Sequence, residues 1–241
     1  MLAFFFYNPL WFDPYFMGAT VLGLLMTLWA QFRVKSAFHR YAKVGLRSGM
    51  SGAEAAAAVA RAGGADVKIE RHGGFLTDHY DPRSKTLRLS PDVYDGRSIS
   101  SVAVGAHEAG HAIQDVAEYA PLGFRTKMVP VANVGAHLWY FVFLIGIMLN
   151  YGQSMMGPLF MNLGILLFGL MVAFQLVTLP VEFDASKRAK AVLASSGIVS
   201  TAEEAQGVEK VLGAAAMTYV AAAAASVLQL LAMILRAQQR N

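Results

Sequence analysis

Val104-Gly-Ala-His-Glu-Ala-Gly-His-Ala-Ile-Gln114 holds His107, Glu108 and His111 in the order H-E-x-x-H. On a helix, residues four apart stand one turn apart on one face. Two imidazoles so placed can hold one Zn²⁺, and a glutamate beside them can take a proton from water at the metal. Ser98, Ser100 and Ser101 offer N-caps just upstream, so a helix over about Ser98–Tyr119 is expected. Ala103, Ala106, Ala109, Gly110 and Ala112 surround the triplet and leave room for a second segment to pack closely. The alternative is a helix with two packed or solvated histidines.

A zinc site needs a third protein ligand, and the neighbouring chain does not supply it. Gln114 and Ala117 stand where an H-x-x-G-x-x-H extension needs Gly and His. Glu118 lies on the His107 face, but about 16 Å further along the axis. Asp115 follows His111 by one turn and reads as a residue that orients a ligand.

Outward from this stretch, the composition is that of a membrane protein. Of 241 residues, 56% are hydrophobic and 15% charged, with a formal net charge of +4. No cysteine is present, which excludes disulfides and a thiolate zinc site. No basic stripe interleaved with aromatics points to nucleic acid. Residues 1–34 read as an uncleaved N-terminal anchor: an aromatic cluster from Phe4 to Phe16, then the apolar run Phe16–Phe32. Arg33, Lys35, Arg40, Lys43 and Arg47 follow, and the positive-inside rule keeps them in the cytoplasm.

Residues 35–127 read as the soluble part. Ser51-Gly-Ala-Glu54 is a capping box that opens an Ala-rich helix, ended by Gly63-Gly64. Val67–Glu70, Gly74–Tyr80 and Thr86–Leu89 read as short strands, the last two joined in a hairpin by Asp81-Pro-Arg-Ser84. Residues 128–181 hold two apolar runs, Val129–Leu149 and Met156–Leu179, with an uncharged turn between them: a transmembrane hairpin. In residues 182–241, Thr201-Ala-Glu-Glu204 opens a long helix. Its Val211–Leu235 stretch is either a fourth span or a helix buried against the others, and Arg236 and Arg240 fit a full span poorly.

Two crossings return the chain to the side it left, which places Glu182 on the membrane face of the His107–His111 helix. A carboxylate at that boundary is costly unless paired or bound to metal, so Glu182 is the expected third ligand. The competing reading is an interfacial acid near Lys187 and Arg188. Asp184 would point about 160° away from Glu182 on a helix. His137, well inside the second apolar run, reads as a packed, hydrogen-bonded histidine. His79, on the hairpin, either lines the cleft or is merely exposed.

H-E-x-x-H on a soluble segment, then two apolar segments, then E-F-x-A resembles membrane zinc peptidases of the HtpX and CaaX-protease type, in which the later glutamate is the third ligand. The chain more closely resembles the YugP-type membrane zinc metallopeptidase family. Asp78-His-Tyr-Asp-Pro82, Leu89-Ser-Pro91, Ala106–Gln114, Glu182-Phe-Asp-Ala-Ser186 and Ala214-Ala-Ala-Met-Thr-Tyr219 carry that likeness. Ser186 is a departure from the HtpX type, whose E-x-x-A-D pattern has Asp there. The resemblance implies a multi-pass zinc peptidase of the bacterial plasma membrane, acting on peptide or protein substrates. The expected fold is mainly α-helical, with three or four transmembrane helices and a small α+β zincin-like part at the cytoplasmic face.

The expected chemistry is one Zn²⁺ on His107, His111 and Glu182, with Glu108 as base and His79 or Tyr219 stabilising the oxyanion. The Thr86–Leu89 strand is a candidate edge for pairing with an extended substrate. The other classes are a zinc hydrolase of a lipid-like amide or ester, and a non-catalytic membrane scaffold. Oligomeric state is left open.

Overall fold

A computed structural model describes residues 14–238. The aromatic residues from Phe4 to Phe12, and Arg240, lie outside them. The chain divides into two compact units. One comprises the segment ending at Trp29, Phe124–Val177 and the segment from Tyr219 onward; the other comprises Ala30–Gly123 and Thr178–Thr218.

Among the described residues, four helices are long and apolar enough to cross a membrane: α1 (Pro14–Tyr41), α5 (Ala120–Tyr151), α6 (Gly157–Ser195) and α7 (Ala202–Gln238). The C-terminal apolar stretch therefore has spanning length. Arg236 is buried and donates to the Tyr151 hydroxyl at 3.0 Å, which meets the cost that a charge there would otherwise carry. In the membrane unit, α5 and α6 form a hairpin whose backbones approach through glycine. A Cβ on Gly135 would stand 2.7 Å from the Leu167 carbonyl oxygen, and one on Gly164 would stand 2.6 Å from Phe143 Cβ. Such small-residue contacts are how spans associate where lipid gives no hydrophobic drive. Phe143, Ile147, Met161, Phe168, Val172 and Met233 form that unit's core. His137 is exposed here, not packed: its Nδ1 donates to the Asn133 carbonyl at 2.7 Å within its own helix.

The second unit is α+β. Ser51 caps α2 (Gly52–Ala62), and its own amide donates to Glu54 at 2.7 Å, completing the expected box. Strands β1 (Lys68–Arg71), β2 (His79–Asp81) and β3 (Thr86–Leu89) make a sheet ordered β1-β3-β2. β3 runs parallel to β1 and antiparallel to β2, with Tyr80 opposite Leu87. Two expectations are corrected here. The strand foreseen over Gly74–Tyr80 shrinks to three residues, because Gly74 (φ 110°) and Leu76 (φ 55°) break extended backbone. β3 lies in the middle of the sheet, paired on both sides, so it offers no free edge to a substrate.

After the short turn α3 (Pro91–Tyr94), helix α4 (Ile99–Val116) carries the H-E-x-x-H triplet and is buried on nearly every side. That burial requires the small residues read from the sequence. A Cβ on Gly105 would collide with the Gly52 carbonyl oxygen of α2, and one on Gly110 with that of Ala185 in α6. Phe38, Val59, Leu87, Leu89, Ile99 and Leu193 are among the core residues packed in this unit. Pro180 does not end the sixth helix: α6 runs unbroken from Gly157 to Ser195 and carries Glu182 into this unit.

Candidate metal centre

His107 and His111 lie one turn apart on α4, with ring centroids 4.8 Å apart. The close approach at Gly110 and Ala185 brings α6 alongside, and Glu182 Oε2 lies 3.3 Å from His107 Nε2 and 3.6 Å from His111 Nε2. Ligand atoms at zinc–ligand distance from one tetrahedral centre stand about 3.3 Å apart. The three donor atoms all lie within 4.8 Å of one another, and among the described residues this is the one group of three or more such side chains so gathered. The donor set of two imidazoles and a carboxylate thus fits a zinc ion.

Hydrogen bonds at the outer ring nitrogens orient both imidazoles. His111 Nδ1 donates to the side-chain carbonyl of Gln114 at 3.0 Å, which turns Nε2 towards Glu182 as the nitrogen available to a metal. Gln114 is completely buried and is itself fixed: its amide donates to the Val181 carbonyl at 2.8 Å and to Asp184 at 2.9 Å. Asp184 also accepts from Arg188 at 2.5 Å, and that guanidinium lies over the Tyr119 ring. Ser186 Oγ is 3.0 Å from His107 Nδ1, so a hydroxyl meets the outer nitrogen of that ring.

The residue expected to orient His111 is therefore corrected. Asp115 faces the hairpin, accepting from the Tyr80 hydroxyl at 2.6 Å and from Lys85 at 2.5 Å. Asp184 does not join the cluster, but it reaches it through Gln114. Gln114 was legible only in its spacing: three residues after His111 and seven after His107, it shares their face.

Glu108 is buried beside the cluster. Burial pushes its carboxyl above the ordinary range; the His107 and His111 rings oppose this, while the charges of Glu182 and Asp78 add to it. Burial disfavours a charged His111 ring, but the Glu182 hydrogen bond and the nearby Glu108 charge more than reverse this and raise its pKa. The pocket thus favours positive charge, as a cation site should. His79 lies on β2, exposed, its Nδ1 donating to the Thr77 carbonyl at 2.8 Å and its ring edge-on to His72. Tyr219 is half-buried and falls in the membrane unit.

Residues 16–238 match the family described as "Putative neutral zinc metallopeptidase". "Putative membrane protease YugP" of Bacillus subtilis (strain 168) is 46% identical over 221 residues, covering 91% of this chain and 95% of the relative. No solved structure matches the chain.

Proposed function

The chain belongs to the neutral zinc metallopeptidase family, and on that premise we propose that it is a membrane endopeptidase whose chemistry runs at His107, Glu108, His111 and Glu182 on the cytoplasmic face. The observation that carries this reading is the cluster itself. Two segments 71 to 75 residues apart in sequence supply three donors within 4.8 Å of one another, with a buried carboxylate beside them.

His107, His111 and Glu182 would hold the metal. Zinc, when bound, supplies a Lewis acid that polarises a carbonyl and makes water easier to deprotonate. Glu108 takes the proton of the attacking water and returns it to the leaving amine. Gln114 and Ser186 keep the imidazoles from rotating.

With β3 interior, the substrate backbone is assigned to the outer edge of β2, which no described strand covers. Tyr80 on β2 is tied to Asp115 of α4, which fixes that edge relative to the metal helix. Of the two oxyanion donors, His79 is favoured because it lies on β2, the strand whose edge is assigned to the substrate. The cytoplasmic side is supported by Arg33, Lys35, Arg40, Lys43 and Arg47 after the first apolar run, and by Lys187, Arg188 and Lys190 after the third.

The test is cleavage of an unstructured peptide pool by purified protein of measured metal content. A chelator should stop cleavage and added zinc restore it. Zinc-loaded protein that leaves peptides intact but hydrolyses lipid-like amides would end the peptidase reading.

A further inference from the structure

Helix α5 carries a polar pair on its outer face. Asn133 and His137 are both exposed and stand one turn apart. Gly135, between them in sequence, packs against the Leu167 carbonyl of α6. At about 100° per residue, Asn133 and His137 therefore lie on the side of α5 opposite its partner helix. Both fall within the apolar run Val129–Leu149, roughly 6 and 12 Å along the axis from its start. Lipid offers no water to satisfy an amide or an imidazole there.

Their hydrogen-bonding capacity is half used. His137 Nδ1 donates within its own helix, which leaves Nε2 of the neutral ring as an outward acceptor. Among the described residues, nothing bonds the Asn133 side chain, whose amide offers two N–H donors. Continuing from these two, Tyr140, Leu144 and Met148 follow at steps of three and four residues. That is the spacing of a helix–helix seam, and Tyr140 and Met148 are exposed along it.

We propose that this face is where two copies of the chain meet within the membrane. Copies in one membrane share an orientation, so a two-fold axis along the bilayer normal sets equal levels of α5 opposite each other. The Asn133 amide of each copy then donates to His137 Nε2 of the other. A symmetric contact needs a face that carries both halves of its own complement, and this one does. Side-chain hydrogen bonds of this kind hold spans together. The donor cluster is complete in one chain, so the contact stands apart from the catalytic reading.

The chain has no cysteine, so a single introduced thiol reports alone. Tyr140→Cys and Met148→Cys lie within about 40° of the centre of the face; Val131→Cys and Leu138→Cys are exposed but more than about 100° away. In native membranes, a short thiol-to-thiol bismaleimide should join the first two into species of twice the chain's mass and leave the second two monomeric. Replacing Asn133 and His137 with Leu in the Met148→Cys background should cut the adduct about tenfold. If the double replacement does not accumulate, His137→Leu alone takes its place, with several-fold loss expected. Equal linking at all four positions overturns the proposal, as do adducts only with other proteins, or a yield indifferent to the leucines.

Discussion

Glu108 and the three donors next to it can be separated by substitution. Glu108→Gln removes the base and neither imidazole, so zinc content should stay at wild type while peptide hydrolysis falls about 10²- to 10⁴-fold. Zinc lost in parallel with activity would show that Glu108 acts through binding instead. Gln114→Ala should weaken zinc about 10- to 100-fold, read by competition with a chromophoric chelator, because His111 loses the partner that fixes its tautomer. Glu182→Ala should lower metal content further still. The H-E-x-x-H triplet was legible because both its imidazoles lie on one helical turn. Glu182 was legible because an acid at the end of an apolar run needs a partner. The role of Gln114 was not, because its bonds to Val181 and Asp184 reach across 67 and 70 residues.

At the scale of elements, the packing of α4 against α6 is the vulnerable joint. Gly110→Ala places a methyl group into the Ala185 carbonyl oxygen, which should cost about 1–3 kcal/mol in a thermal melt and strip zinc, although Gly110 donates nothing to a metal. Gly213→Ala in α7 meets no atom within 4 Å and should be neutral or stabilising by up to about 1 kcal/mol. Opposite signs from one substitution type would separate steric approach from helix propensity. The β2–β3 hairpin carries an acid-sensitive tie. Asp81 accepts from the Ser84 hydroxyl at 2.7 Å, from Arg88 at 3.1 Å and from the Arg83 amide at 3.0 Å, and these hold its carboxyl well below the usual range. The folded state therefore binds this proton less readily than the unfolded chain. Its contribution is complete above about pH 4 and is lost as pH falls towards the depressed value. Melting temperature followed from about pH 5 to pH 3 should drop less steeply in Asp81→Asn than in the wild type. The hairpin and its turn could be read from the sequence. The central place of β3 could not, because its parallel pairing with β1 joins strands that no local pattern links.

At the scale of the molecule, the four apolar helices among the described residues and the basic segment after the first support an orientation that reporters can test. A fusion at Ser48 should report the cytoplasm, and one at Tyr151 the opposite side. A cytoplasmic Tyr151 would move the proposed chemistry across the membrane. Three of the four apolar helices were legible from hydropathy, while the fourth stayed open over Arg236, whose fate depends on a tyrosine 85 residues away. The unbroken course of α6 through Pro180 carries one more consequence. Glu182 follows Leu179, the last residue of the third apolar run, by three residues, about 5 Å of helix rise on the same rod. On the proposed reading such a rod is a depth stop: the blade would cut at a set height above the lipid, whatever letters the substrate carries there. Spacer residues inserted into a membrane-anchored reporter should then move the scissile bond along the sequence while its distance from the bilayer stays constant, as mass spectrometry of the released fragments would show.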